Sequence, residues 1–332
     1  MPTVDGALWR ERVQIGKEVT SGTPVAATRV AYASNVTLVR NRAMREHRFS
    51  TGTRDNIRAR TQGPVIAGGG LAMPVSANEL LEWCLACFDG TVLPTIPPTA
   101  VLTRQWKFAP GLTLASLTIE RQDGANLQQG TGYRVNQMTI AGNVRESNTA
   151  TMELFGTDVD NSTFAALTGS LAERLPTFME GYQTNLYIDA LGATPGTTNK
   201  IAMINWSVVI NNGMTRKYLA QNSLAARRSI MGNLGATAQL LLEGAEADTI
   251  IELTNANANT PRLVRLEFQG ALIEGTFHES VWIDLPGYWT TPDLNQADEG
   301  TRAYGFPFSY VYDATLGAGI NVTLQTARAT AF

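Results

Sequence analysis

The sequence predicts a mainly β protein made of two similar β domains in tandem, each accompanied by a short α-helix. Three observations predict this. Apolar and polar residues alternate with period two along most of the chain, turn-forming dipeptides separate the alternating runs, and the order of elements recurs at an offset of about 170 residues.

Composition suits that reading. The chain has 332 residues, 44% hydrophobic and only 17% charged, with Thr, Asn, Gly, Ala and Gln in place of charge. Such a mix fills strands whose polar faces stay neutral, and its apolar content is too high for disorder. The net charge of −3 carries no nucleic-acid or membrane signature. The opening MPTVDGALWRERVQIGKE has no apolar run behind a basic start, so no secretory leader is expected. No segment approaches the roughly 18 apolar residues of a membrane helix. The two cysteines, three residues apart, cannot form a disulfide framework.

Along the chain, Leu117 with Ile119, Met138 with Ile140, Met152 with Leu154, Val264 with Leu266 and Phe268, and Val322 with Leu324 each place apolar side chains on one face. Gln137 and Thr139, or Arg265 and Glu267, take the other face, as in half-buried strands. Asp123-Gly124 and Asn212-Gly213 are turn signals. Residues 76–88 (SANELLEWCLACF) predict a helix with a Ser76/Glu79 capping box and with Leu80, Cys84, Cys87 and Phe88 on one face. A second helix is expected at 246–254, and a weaker third through Phe164, Leu167 and Leu171.

Shifting the chain by 170 residues superposes Asn35, Val39, Asn41, Met44, Arg58, Leu71, Ala77 and Glu82 on identical residues: Asn205, Val209, Asn211, Met214, Arg228, Leu241, Ala247 and Glu252. Each half then reads strand, basic segment, strand, helix. The expected domains are 1–178 and 179–332.

The chemistry-bearing residues form no catalytic or metal-binding constellation. Cys84 and Cys87 make a CxxC, but they sit in the second and third helical turns rather than at the helix N-terminus that stabilises a thiolate, and read as small core residues. Only His47 and His278 are available as further metal ligands or as a catalytic base; His47 has no acid on its far side, His278 follows a strand in TFHES, and both read as surface histidines, since a triad needs a third orienting group. Gly68-Gly69-Gly70 lacks the Lys and Ser/Thr of a phosphate loop, and suggests a bulge or close backbone approach. No catalytic residues, metal ligands or cofactor are expected.

Charge is unevenly distributed. Residues 40–60 carry seven arginines against Glu46 and Asp55, and residues 211–233 carry four cations and no acid. With net charges of +5 and +4 in these segments, the remainder holds −12. Arg45, Arg48, Arg54, Arg58, Arg60, Arg216, Lys217, Arg227 and Arg228 are therefore candidate contacts with the acidic surface of a neighbouring subunit. Both segments are expected to be long loops between paired strands.

The phrases VQIGKEVTSGTPVAATRVAYASNVTLVRN, ELLEWCLACFDG, SLTIERQDG and FPFSYVYDATLGAGINVTLQTA carry a resemblance to the tail tube (major tail) proteins of bacteriophages with long non-contractile tails. The resemblance implies β-sandwich or barrel domains with a flanking helix. Sheets join edge to edge into rings, and rings stack into a hollow tube in the virion tail. It also implies a tape measure protein inside the tube, terminator and tail-tip proteins at its ends, and DNA passing without specific binding. The protein would be made in the host cytoplasm, with no membrane partner and no enzymatic role. With two domains per chain, rings of three copies with pseudo-sixfold symmetry are expected. A different virion component, such as a tail-tip or capsid decoration protein, is the nearest alternative. A secreted β-rich carbohydrate-active or carbohydrate-binding protein is more distant, since clustered acids are absent from the sequence.

Overall fold

The computed structural model describes residues 11–50, 57–124, 126–169, 171–174, 176–198, 200–220, 226 and 228–332. The first half runs β1 (Arg12–Lys17), β2 (Arg29–Val30), β3 (Ser34–Arg48), β4 (Ile57–Pro74), α1 (Ala77–Cys87), β5 (Arg104–Phe108), β6 (Leu117–Asp123), β7 (Asn126–Asn143), β8 (Thr149–Gly156) and β9 (Asp158–Asp160). The second runs β10 (Thr184–Ala190), β11 (Met203–Asn211), β12 (Thr215–Lys217), β13 (Arg228–Ile230), β14 (Gly235–Glu243), α2 (Ala247–Asn257), β15 (Arg262–Glu274), β16 (Phe277–Trp289), β17 (Asp293–Asp298), β18 (Thr301–Tyr310) and β19 (Asn321–Thr326). The protein is mainly β, and every paired strand is antiparallel. Each alternating run singled out in the sequence lies on a strand, and Gly124 takes φ +58° in the β6–β7 turn.

The principal sheet runs in the order β3–β4–β8–β7–β11–β14–β18, with β17 and the end of β16 along the last strand. Two smaller sheets lie across it: β2–β1–β6–β7–β9 and β10–β15–β16–β19–β5. β7 and β16 belong to both layers. Asn126–Tyr133 pairs with β6, whereas Arg134–Ala141 pairs with β8. Likewise β16 follows β15 to Gly287, then β18 from Gly287 to Trp289. Strands that change sheets close the corners of a sandwich.

The same pairing order occurs twice: β1–β6–β7–β8–β4–β3, then β10–β15–β16–β18–β14–β11. α1 and α2 are offset by 170 residues, as are the inward-facing Val36 and Leu38 of β3 and Trp206 and Val208 of β11. The ladders put β4 and β14 at an offset of 169, so Leu71 corresponds to Leu240 rather than Leu241. One apolar cluster spans both halves, from Val13 and Leu80 to Phe268, Trp289 and Leu324. β5 pairs with β19 across the halves, and Glu274 at the end of β15 accepts hydrogen bonds from the backbone N–H of Val101, Leu102 and Thr103 at 2.6–3.0 Å.

Three expectations require correction. Ser76 is the α1 N-cap, but its buried hydroxyl makes no capping bond. Glu79 turns instead to the Arg29 guanidinium and the Tyr32 N–H, because a buried carboxylate gains more from a cation than from a cap. Described residues of 161–174 form no helix; the Thr168 N–H and hydroxyl are held by Glu120 at 2.7 Å. The first basic segment is no long loop, since β3 and β4 stay paired to Arg48 and Ile57 and form a projecting hairpin arm.

Candidate assembly surface

Among the described residues no group of three or more His, Cys, Asp or Glu is arranged to hold a metal. Cys84 and Cys87 are free and fully buried in the core. Burial pushes the Cys87 thiol up to about 12 against the opposing hydrogen bond from Asn212, and lifts Cys84 well above the ordinary thiol range. Neither sulfur is a thiolate at neutral pH. Native protein should therefore be inert to thiol reagents, and the double replacement Cys84→Ala/Cys87→Ala should cost about 2–4 kcal/mol in chemical denaturation. Rapid labelling of native protein would contradict this placement. His47 Nε2 lies 2.9 Å from the Thr61 hydroxyl, and His278 Nδ1 lies 3.1 Å from the Gly270 carbonyl. At Gly69 a Cβ would fall 1.8 Å from the Thr37 carbonyl oxygen, so this glycine allows close approach of β3 to β4, whereas Cβ atoms at Gly68 and Gly70 would lie nearest β8 carbonyls at 3.1 and 3.2 Å.

The basic residues lie on two arms. Arg45, Arg48, Arg58 and Arg60 are exposed on the β3–β4 arm, where Glu46 accepts from Arg48 at 2.9 Å and Arg60 at 3.0 Å. These two guanidinium groups hold the Glu46 carboxyl below its usual range, the Arg48 hydrogen bond foremost. Arg54 and Arg227 lie outside the described residues. Lys217 and Arg228 are opposite one another in the short β12–β13 ladder. Arg216 differs: its guanidinium stacks 3.9 Å from the Phe155 ring centre and donates to the Ala67 carbonyl, while the Tyr218 hydroxyl donates to the Val65 carbonyl at 2.9 Å. The second arm thus docks on the first half through stacking and main-chain bonds.

The principal sheet has two unlike faces. One carries Leu38, Leu71, Met152, Met138, Ile210, Ala236, Phe306 and Phe308 into the core. The other carries cross-strand rows that the ladders define, such as Thr151–Thr139–Val209–Thr237–Ser309 and Gly70–Glu153–Gln137–Asn211. Glu153 is the one charged residue in these rows. These rows are neutral and polar apart from Glu153, while the next row on the same face sets Arg134 opposite Phe155, with Arg216 stacked over that ring.

The halves meet on this sheet by strand pairing. Gln137–Asn143 of β7 pairs with Asn205–Asn211 of β11, with Ala141 opposite Ser207. At the two ends, β3 and β17 have no second ladder partner among the described residues. β3 is the counterpart of β11, and β17 continues β16 as the counterpart of the end of β7. Each free edge therefore matches one member of the internal junction. β3 carries Arg40, Arg42, Arg45 and Arg48, whereas β17 carries Asp293 and Asp298. Sequence analysis did not single out β17, because DLNQAD lacks apolar alternation.

A buried ionic cluster ties the chain's last residues to α1. Glu82 accepts from Arg29 and Arg328, and Arg328 also donates to the carbonyls of Asn78, at 2.6 Å, and Ala331. The Trp106 indole donates to the Arg328 carbonyl at 3.1 Å. Burial pushes the Glu82 carboxyl up to about 8, with Arg29 acting in the opposite direction.

These features define a class: an antiparallel β structural subunit with one broad polar sheet and complementary open edges. The chain belongs to the phage tail tube protein family, whose pattern matches residues 9–307. No curated protein matches the chain.

Proposed function

We propose that the chain polymerises into the hollow wall of a phage tail, closing head to tail into rings of three copies that stack into a tube. The observation that carries this reading is the β7–β11 junction, an edge-to-edge pairing of two like-ordered units within one chain. Its two members recur as β17 and β3, each with one ladder partner among the described residues. Each half is then one wall unit. Transferring the internal register puts Asn35 opposite Asp298, Val36 opposite Ala297 and Thr37 opposite Gln296 of the next copy. An open edge is an aggregation liability, and a heterologous pairing that closes by rotation removes it.

Ring size follows from strand spacing. Three copies of the eight-stranded run supply roughly 24 strands, which at about 4.8 Å each form a backbone cylinder about 37 Å across before tilt widens it. Six copies would give about 73 Å on the same spacing. The smaller ring leaves room for a nucleic-acid duplex with little to spare. The neutral rows fit the lumen, since Thr, Ser, Asn and Gln offer DNA no cationic grip there, and Arg134 and Arg216 at one end of the same face are already engaged by Ser229, Phe155 and the Ala67 carbonyl. By family resemblance the lumen would first hold the tape measure protein, with terminator and tail-tip proteins at the tube ends. The role needs no catalysis, and it places the protein in the virion tail after synthesis in the host cytoplasm. Arg45, Arg48, Arg58 and Arg60 of the first arm would dock on a neighbouring copy in the manner in which Arg216 is held on Phe155 within the chain, and Arg54, Lys217, Arg227 and Arg228 are proposed as further contacts with a neighbouring copy. Electron microscopy of the purified protein tests the reading: uniform tubes are expected, and isolated particles at high protein concentration would refute it.

A further inference from the structure

α1 and α2 occupy matching places in the two halves, yet their outer faces meet different fates. In α1 the outward Leu80, Leu81, Cys84 and Phe88 are all fully buried. Their counterparts on α2 are Ile250, Ile251, Thr254 and Ala258, and with Ala247 they form an apolar stripe at helical spacing that faces solvent. Ile250 and Ile251 are 47% and 54% exposed. The buried side of α2 is polar at its centre: Glu252 accepts from Arg262 and from the Trp289 indole, both at 2.8 Å. α2 turns Leu253 and Ala256 toward the core and leaves Asp248 exposed, but its two isoleucines face water, so this part of its apolar surface is turned toward something outside the subunit.

The covering of α1 indicates what that is. Part of it is β5, whose Phe108 packs on Phe88, and the α2–β15 connection is too short to hold a matching strand. Gly111 and Ala115 of the same half donate to the Phe88 and Leu85 carbonyls, and the following half adds β19 and the residues after it, through Thr326 and Arg328 on Asn78. β19 lies along β16 as β9 lies along β7. Next to α1, Asn212 of the following half donates to the Cys87 carbonyl, so the helix end sits beside the β7–β11 junction. α2 in turn sits beside the end of β16, from which β17 continues, through the Trp289–Glu252 bond.

We infer that the Ile250/Ile251 face of α2 is a docking surface for the first half of a second copy of this chain, covered by that copy's β9 and the Phe164-Ala165-Ala166-Leu167 segment after it. This rests on the head-to-tail assembly proposed above. Ala165 and Ala166 are exposed in the subunit, so the segment can offer small apolar surface to the isoleucines. Ring closure would then join two contacts, the β17–β3 ladder and the α2 face, on the same neighbour.

The test is maleimide labelling of an Ile251→Cys variant, as free subunit and co-assembled at a minor fraction with excess wild-type chain. Cys84 and Cys87 are buried and supply little background. Labelling in tubes is expected to slow at least 10-fold relative to the subunit. An Ile250→Asp/Ile251→Asp variant is expected to keep the subunit's melting temperature and to lose tube formation. Equal labelling rates in subunit and tube, or normal tubes from the aspartate variant, would overturn this inference while leaving the tube reading intact. Failure of the wild-type chain to form tubes would overturn both.

Discussion

A Thr37→Cys/Gln296→Cys variant oxidised within assembled tubes should convert most chains into covalent species that end at three copies. The pair is chosen by transferring the Ser207–Ala141 pairing of the internal junction to the free edges. Both side chains are exposed in the subunit, so the substitutions leave the core untouched. Directly opposed residues of antiparallel strands hold their Cβ atoms about 4.5–5.5 Å apart, close enough for a disulfide after small adjustment. A Leu38→Cys/Gln296→Cys control should fail, because Leu38 points to the buried face and a one-residue slip reverses the side chain. Covalent species larger than three copies, when run denatured, would indicate a larger ring. Efficient linking in the control would indicate a different register.

The second large effect concerns Arg328. Arg328→Ala should destabilise the subunit by about 3–5 kcal/mol in urea denaturation, among the largest effects of any single replacement outside the apolar core. The guanidinium is almost fully buried, and its removal leaves the Asn78 and Ala331 carbonyls without that donor and leaves Glu82 with Arg29 alone. A buried group left without its partner costs more than the pair contributed. Arg328→Lys should recover little, since one ammonium cannot reach three acceptors in the planar fork geometry of guanidinium. A loss below about 1 kcal/mol would mean that the last residues are not anchored on α1 as described.

The strands and both helices were legible because half-burial imposes its period directly on the side chains. Met138 and Ile140, or Val264, Leu266 and Phe268, cannot alternate in that way without a buried face. The family was legible from phrases along the chain. Pairing between distant strands was not, since nothing local in RQWKF announces that β5 will meet β19. The sheet switching of β7 and β16 was equally hidden, because a strand that changes partners keeps the same alternation. Arg328 looks like a surface residue within TARAT; its role depends on Glu82, far away in sequence. β17 escaped notice because its residues are mostly exposed and it has one ladder partner among the described residues, and its Asp298 meets Arg145 at 3.2 Å rather than an apolar surface. An edge awaiting a partner carries no hydrophobic signal of its own. The basic segments were legible as composition, but the arm built from β3 and β4 was not, since arginines interleaved with Asn and Ala suit an exposed ladder and a loop alike.

Helical reconstruction of tubes assembled from the purified chain measures the central claim most directly. The account predicts three copies per ring, a pseudo-sixfold wall of roughly 24 strands, β3 of each copy paired with β17 of the next, and the Thr139/Thr151/Thr237 face toward the lumen. Six copies per ring with true sixfold symmetry, or a wall in which β3 and β17 remain unpaired, would contradict it.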